Sequence, residues 1–464
     1  MVFSSLLFMF VYLVVTMGVY YLLPRKFRNP WLFVVSIIFY GFGEPIYVLL
    51  MIASITLNYV SGLLIEKFRE NKGKKKLVLV LCVVVNLGLL GYFKYAGFAA
   101  DMINDIPIFS TLAVPEIALP IGISFYTFQA MSYVIDVYWG NCKAQKNYIT
   151  FGTYVALFPQ LIAGPIVRYV DVEYQLMNRR ENMPMFTRGV KLFLVGLAKK
   201  VLIANQMGIL WAAIKGGTNN GILGSWVGII AFTLQIYFDF AGYSDMARGL
   251  GNMFGFEFVK NFDYPYISKS ITEFWRRWHI SLGTWFREYV YIPLGGNRKG
   301  TGRMVLNLAI VWLLTGLWHG ASGNFVLWGA YFGILLIVEK LFLKKYLDKL
   351  PAFFSHVYAL LFIVLGWVIF DFTDMAQMGA FFKSLFTLSD GVIGDKAAYM
   401  VLSYLPLLAV AVFACLPVGK KLYYKLDKTK AAVPVEVIAA LIVLVLCTAA
   451  LVSSSYNPFL YYRF

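Results

Sequence analysis

Residues 313–328 read LLTGLWHGASGNFVLW, an almost wholly apolar stretch with a histidine near its centre. His319 follows Trp318 and is one of only 3 histidines in the 464 residues. Three glycines surround it, and glycine permits close backbone approach and an open pocket. An ionisable side chain at membrane depth is costly and usually has a function. We therefore predict a helical hairpin with His319 at its turn, in or near the far half of the membrane, since 304–318 is too short to cross fully.

The composition of the chain is that of a polytopic membrane protein. Hydrophobic residues make up 60% of it and charged residues 14%, whereas about a quarter of the residues in soluble domains are charged. About 20 apolar residues cross the membrane as a helix, and we expect about 10 to 12 such segments. The sequence predicts an all-α membrane protein with one domain, 1–464, because no fixed-period repeat or flexible linker interrupts it. The main apolar runs are 2–23, 77–100, 190–210, 224–240, 325–342, 352–370, 401–416 and 433–452.

The net charge of +17 sets the predicted topology. Nucleic-acid binding is not indicated, because the positive residues cluster in short loops beside apolar runs, and such loops remain in the cytoplasm. Both termini are then external, and the first run is an uncleaved span rather than a signal peptide. Within 29–65, the sequence GFGEP at 41–45 predicts a break between two shortened spans. The basic loops lie at 25–28, 66–76, 260–303, 344–349 and 420–430.

Several kinds of site find no support in the sequence. The 4 cysteines are far apart and form no CxxC pair, so neither a zinc site nor a disulfide scaffold is indicated. The acidic residues and the histidines do not define a metal site either. The glycines at 249–255 are spaced GxGxxxG, without the βαβ context of a dinucleotide loop. No Walker loop, GxSxG elbow or HExxH helix is present.

A second histidine lies in a basic aromatic stretch that we predict to be one interfacial helix, 270–289. Ser270 and Glu273 form a capping-box pattern, and aromatic and apolar residues recur at helical spacing. His279 falls at the border of this aromatic stripe, facing the protein interior or its mouth, and either an active-site or a structural role fits it. The stripe comprises Trp275, Trp278, Leu282, Trp285, Phe286 and Tyr289, and the arginines off the stripe are Arg276, Arg277 and Arg287.

Two acidic residues lie in the apolar segment 237–248, YFDFAGYSDMAR. Asp239 and Asp245 need partners at membrane depth. Asp245 and Arg248 are one helical turn apart and could pair locally. Polar contacts between helices and a direct role in the site both fit these residues.

Five stretches carry a family resemblance: FPQLIAGPIVR at 158–168, YFDFAGYSDMA at 237–247, the block 273–298, WHGAS at 318–322, and YNPFLYYRF at 456–464. In them the chain resembles the membrane-bound O-acyltransferase superfamily, specifically its bacterial alginate O-acetyltransferase branch, which is related to the teichoic-acid D-alanyl transfer membrane proteins. The resemblance extends over essentially all residues.

The resemblance implies a funnel-shaped bundle of membrane helices in the bacterial cytoplasmic membrane. A cytosolic thioester donor, acetyl-CoA or another acyl thioester, would meet an acceptor from the other side. It further implies that His319 is the catalytic histidine and His279 the second active-site histidine. One departure is Gly323, where this branch often has tryptophan. The missing ring would enlarge the pocket or loosen its wall. The supporting pocket residues are Asp239, Tyr243, Asp245, Trp318 and Asn324.

From these expectations a mechanism follows. His319 would act as general base toward an acceptor hydroxyl, and the basic segment 260–303 would attract the anionic donor. The resemblance implies that an extracytoplasmic SGNH or esterase-like partner then completes O-acylation of a cell-envelope polysaccharide. The candidate donor-binding residues are Arg276, Arg277, Arg287 and Arg298, which would otherwise only anchor the helix at lipid headgroups.

Tyr461, in the external tail 454–464, is a candidate acyl acceptor that would relay the group outward. About 11 residues at roughly 3.3 Å each reach about 35 Å, enough to return into an external funnel. An interfacial aromatic anchor is the other reading of this tyrosine.

Two other functions fit parts of the sequence. A secondary transporter would use Asp239, Asp245 and His319 as an ion path, but it predicts an internal repeat that the sequence does not show. Acylation of a lipid or a protein by a member of the same superfamily is the second alternative.

Overall fold

The computed structural model describes residues 1–104, 117–162, 164–217, 219–453 and 459–460. In these ranges the secondary structure is helical and contains no strand, which confirms the predicted all-α class. The α-helices in chain order are α1 Leu13–Leu22, α2 Arg25–Gly41, α3 Tyr47–Lys67, α4 Lys72–Asn104, α5 Ile123–Trp139, α6 Tyr148–Ala156, α7 Phe158–Leu161, α8 Tyr169–Asn178, α9 Met183–Ala198, α10 Asn205–Lys215, α11 Gly221–Met253, α12 Ile271–Arg277, α13 Ile280–Phe286, α14 Thr301–His319, α15 Gly323–Val338, α16 Lys344–Leu347, α17 Ala352–Asp371, α18 Met375–Phe386, α19 Asp395–Ala414, α20 Val418–Leu426 and α21 Ala432–Ser453.

Nine helical segments within the described ranges are long and apolar enough to cross a membrane. Several combine neighbouring elements; Met183–Lys215, for example, joins α9 and α10 through a π-helical turn, Lys199–Ala204. Phe8–Leu22 is a shorter apolar helix. Many of these helices are apolar on every side, as expected for helices that face lipid as well as protein. The chain is a multi-pass membrane protein, as predicted.

The described chain forms two compact units. The first comprises Met1–Phe193 and Ser244–Lys260, and the second comprises Leu194–Tyr243 and Asn261–Phe464. In the first unit, α2 and α3 are separate helices, which confirms the break predicted at 41–45. Buried Asn58 of α3 and Asn86 of α4 donate to each other's side-chain oxygens at 3.1 Å, a polar contact of the kind that joins membrane helices.

The second unit contains the predicted hairpin around His319. Helix α14 ends at His319, α15 begins at Gly323, and α17 packs against α15. The first arm is longer than the sequence indicated: α14 has 19 residues, and its length and composition suit a full crossing. The prediction that this arm is too short was therefore wrong.

The predicted continuous helix 270–289 is also wrong. Helix α12 ends at Arg277, and α13 starts at Ile280 and continues as a π-helical segment, Arg287–Tyr291. The break lies at His279, whose φ of 46° is left-handed. The helical spacing of the aromatic residues spans the break and hides it from a periodicity argument.

Candidate active site

His319 is buried among aromatic side chains of the second unit. Its ring centroid lies 5.0 Å from that of Trp328 and 5.4 Å from that of Phe370, both edge-on. Only 4% of His319 is exposed. The surroundings of His319 at the hairpin turn are therefore mostly apolar, and polar interactions are stronger in such surroundings than in water.

Helices α14 and α15 are in close contact beside His319. A Cβ atom at Gly316 would collide with the backbone oxygen of Phe325, and one at Gly329 would lie 2.5 Å from the oxygen of Trp312. Buried Asn324 donates from Nδ2 to the carbonyls of Ile369 and Phe370 at 3.2 and 2.9 Å. Asn324 thus ties the start of α15 to the end of α17 and places the Phe370 ring beside His319.

His279 is held by Asn261, a residue that the sequence analysis did not single out. Asn261 Oδ1 accepts hydrogen bonds from the backbone N–H of Ser281 at 3.1 Å and from the Ser281 hydroxyl at 3.0 Å. The same oxygen lies 3.2 Å from His279 Nδ1. Because this atom already accepts from a backbone N–H, it is the amide oxygen, and His279 Nδ1 must carry a proton. The Nε2 atom is then the acceptor atom of the ring.

Burial makes His279 a neutral imidazole. It lowers the pKa of this histidine to about 3, against an ordinary value of 6.5, because a charged ring would lose its hydration. His279 therefore enters any reaction near neutral pH as an acceptor through Nε2, not as an imidazolium cation.

The Trp318 ring lies against both histidines. Its ring centroid lies 5.8 Å from that of His279 and 5.0 Å from that of His319. Phe240 of α11 packs edge-on against His279, with 4.7 Å between the ring centroids. Two histidines that are 40 positions apart in the sequence thus contact the same indole ring.

Asp239 lies in the second unit as half of a buried ion pair. Its Oδ1 lies 2.6 Å from Nζ of Lys200, and its Oδ2 accepts a hydrogen bond from the backbone N–H of Leu460 at 2.8 Å. Beside it, the ring of Tyr243 stacks on Phe459 with 4.6 Å between centroids. Asp239 and Tyr243 therefore hold the segment 459–460. Tyr461, the predicted relay, lies outside the described residues.

Asp245 belongs to the first unit, as does Arg248. Its Oδ1 lies 3.5 Å from Nη1 of Arg248, which confirms the local pairing expected from their spacing. Arg248 also donates to the carbonyl of Phe258 at 3.4 Å. This contact fits the structural reading of Asp245, while its predicted place in the pocket stays a prediction.

The four predicted donor-binding arginines have different surroundings. Arg277 lies 2.9 Å from Glu273, and exposed Arg287 lies 2.7 Å from Glu288. Arg276 lines a cavity of about 450 Å³ together with Lys269 and Lys344, among other residues, and Arg298 is exposed. Since two of the four are already paired with carboxylates, Arg276 and Arg298 are the stronger candidates for binding an anion.

Glu339 is a further residue that the sequence analysis missed. Its buried carboxylate accepts the backbone N–H groups of Ile271 and Thr272 at 2.6 and 2.8 Å, and the Thr272 hydroxyl at 2.6 Å. It thereby fixes the first turn of α12, the helix that leads to His279. Ser270 caps the same helix by accepting from Glu273 N at 3.0 Å, as the capping pattern predicted. A lone acid in an apolar helical run was the signal that could have identified Glu339.

Comparison with known proteins identifies the family. Residues 144–382, which include both site histidines, match the membrane-bound O-acyltransferase family. A protein named "Probable alginate O-acetylase AlgI" from Pseudomonas putida is 40% identical, and the match covers 100% of both chains. The chain belongs to the membrane-bound O-acyltransferase family.

Two further relatives of this membrane-bound O-acyltransferase are named as enzymes that act on other acceptors. A peptidoglycan O-acetyltransferase of Helicobacter pylori is 34% identical over 80% of this chain and 77% of its own length. A teichoic acid D-alanyltransferase of Bacillus subtilis is 27% identical over 63% of this chain and 85% of its own. These matches confirm the predicted family resemblance. The protein is an enzyme, an O-acyltransferase of the membrane, and the transporter alternative finds no support in them.

Proposed function

We propose that this enzyme passes an acetyl group from cytosolic acetyl-CoA across the membrane for O-acetylation of a cell-envelope polysaccharide. The observation that carries the proposal is the pair of buried histidines that share the Trp318 ring within the family-matched range. The names of the alginate and peptidoglycan relatives support a polysaccharide as the final acceptor. We place the protein in the bacterial cytoplasmic membrane with both termini outside, on the strength of its basic loops.

In the proposed reaction, His319 removes the proton of an acceptor hydroxyl as that oxygen attacks the thioester carbonyl. The C–O bond of the new ester forms, the C–S bond breaks, and the leaving thiolate takes the proton from His319. Neutral His279 contacts the thioester in this step, because the single proton of the attacking hydroxyl goes to His319. Arg276 and Arg298 attract the phosphates of the donor.

In the proposed function, a further group must accept the acetyl group and move it to the external side of the membrane. Tyr461 follows the segment that Asp239 and Tyr243 hold, which supports its hydroxyl as the first acceptor. An extracytoplasmic SGNH or esterase-like partner would then move the acetyl group from the tyrosine ester to the polymer.

The direct test is acyl-CoA turnover by purified protein in liposomes that contain the partner. His319→Ala should lower turnover by roughly 100- to 10,000-fold, since a general base contributes that much. His356→Ala is the matched control, because His356 hydrogen-bonds through Nδ1 to the Ser268 carbonyl at 3.0 Å and has no proposed role in the transfer, so this variant should retain activity. Near-normal turnover by a folded His319→Ala protein would refute the assignment. Mass spectrometry of the acylated product separates polysaccharide from lipid or protein acceptors.

A further inference from the structure

The first unit contains a basic cavity that the proposed acyl transfer does not use. Its volume is about 510 Å³, and it is bordered by the start of α2, the start of α6 and the end of α8. Five basic residues and one acidic residue line it: Arg25, Lys26, Arg28, Arg179, Arg180 and Glu181.

The inner wall of the cavity is an ordered ion-pair network. Arg28 lies 2.7 Å and Arg179 3.7 Å from the Glu181 carboxylate, which also accepts the hydroxyl of Tyr20. Arg179 is anchored further by Asn29 Oδ1 at 2.6 Å. Burial disfavours the charged form of Glu181, but the hydrogen bonds from Tyr20 and Arg28 outweigh it and lower the pKa of this carboxyl. Glu181 is therefore ionised, and it balances only one of the two guanidinium charges.

The outer wall carries positive charge with no internal balance. Arg25, Lys26 and Arg180 are exposed, and within the described ranges none of them has a carboxylate partner. The N-terminus of α2 adds partial positive charge to this wall, because its first turn contains no acidic residue and its N-cap, Pro24, makes no side-chain cap. The cavity thus has a net positive charge that a polyvalent anion would neutralise.

The same cavity has an apolar border. Tyr174 and Met177 of α8 line it and are 74% and 61% exposed. Tyrosine is enriched at membrane–water interfaces, where its amphipathic ring lies at the level of the headgroups. A ligand with a phosphate and adjoining hydrocarbon fits both halves of this lining. Basic pockets on the cytoplasmic side of helix bundles bind phosphorylated lipid headgroups in this way.

We propose that this cavity binds the phosphate of an anionic membrane phospholipid, with Arg25 and Arg180 as its principal contacts. Arg28 and Arg179 form the inner wall behind the phosphate. Tyr174 and Met177 lie against the glycerol and acyl region of the lipid. This inference is independent of the proposed acyl transfer, since none of these residues belongs to the second unit.

The test is native mass spectrometry of the full-length protein in detergent, titrated with phosphatidylglycerol or phosphatidylcholine. The wild type should retain phosphatidylglycerol selectively, and Arg25→Gln/Arg180→Gln should weaken its retention at least 10-fold. The control, Lys420→Gln/Lys421→Gln, removes the same charge from exposed positions of α20 and should bind like the wild type. Equal retention by all three proteins would overturn the proposal, because it would mean that general charge attraction explains the binding.

Two further measurements distinguish the phosphate source and guard against misfolding. Phosphatidylglycerol should raise the Tm of the wild type and not that of Arg25→Gln/Arg180→Gln, while both proteins should have the same Tm without lipid. Coenzyme A and inorganic pyrophosphate serve as soluble competitors. If either binds with the same arginine dependence and phosphatidylglycerol does not, the site takes a soluble phosphate compound and the lipid assignment is wrong.

Discussion

The tautomer of His279 depends on a single amide oxygen, whereas its charge depends on burial. Asn261 Oδ1 fixes the proton on Nδ1 and adds no charge, so burial alone determines the pKa of about 3. The folded protein then keeps His279 neutral throughout the physiological range. Between pH 6.5 and 3 the unfolded chain binds a proton there that the folded chain does not, so stability falls as the pH is lowered through this window.

Asn261→Asp should change the pH dependence of catalysis. The introduced carboxylate would raise the pKa of His279, because a neighbouring negative charge favours the imidazolium form. We expect an acidic limb in the profile of kcat/KM that is absent from the wild type. His279→Asn in the same background should remove that limb. If the limb persists in the double variant, it belongs to another group.

At the scale of elements, the sequence predicted which segments are helical better than where they break. The apolar runs and the 41–45 break followed from hydropathy and from glycine and proline chemistry. The interruption at His279 did not, because it depends on Asn261, which lies 18 residues upstream and forms hydrogen bonds to the turn. The hairpin and close backbone approach at its glycines were predictable, but the backbone groups that each glycine faces were not, since a glycine does not reveal its partner.

The hairpin contact gives a matched pair of glycine substitutions. Gly316→Ala should inactivate the enzyme and lower its Tm, because the new Cβ meets the backbone oxygen of Phe325, which cannot move without separating α14 from α15. Gly323→Ala should be neutral or stabilising by about 0.4–1 kcal/mol, because its Cβ lies 3.4 Å from Met375 Cε, an ordinary contact. Activity and thermal unfolding in detergent measure both. Equal tolerance of the two changes would contradict the packing described for the hairpin.

For the whole molecule, composition and the family resemblance of the motifs were enough to predict a polytopic membrane O-acyltransferase, while the catalytic role of His319 stays a prediction. They could not predict contacts between distant parts of the chain. Lys200 was placed in an apolar run and received no role, yet it neutralises Asp239. The bond from Leu460 to Asp239 spans 221 residues, and no local pattern encodes a pairing of that range.

The buried pair of Lys200 and Asp239 should behave as a coupled unit. Lys200→Met or Asp239→Asn alone should destabilise the protein by roughly 3–5 kcal/mol, because each leaves an uncompensated charge in a dry interior. Combining the two changes should restore much of the loss, since no charge is then left buried. Thermal unfolding of the four proteins completes the double-mutant cycle. Additive losses would show that the two residues act independently.

The left-handed backbone at His279 affects how its chemistry can be tested. Alanine is poorly suited to this conformation, at a cost of roughly 1–2 kcal/mol, so His279→Ala would combine a strained turn with a missing ring. Asparagine enters the left-handed region far more readily. An experimenter who chooses His279→Asn therefore separates what the imidazole does from what the turn does, and only that variant can distinguish a reacting group from a bend in the chain.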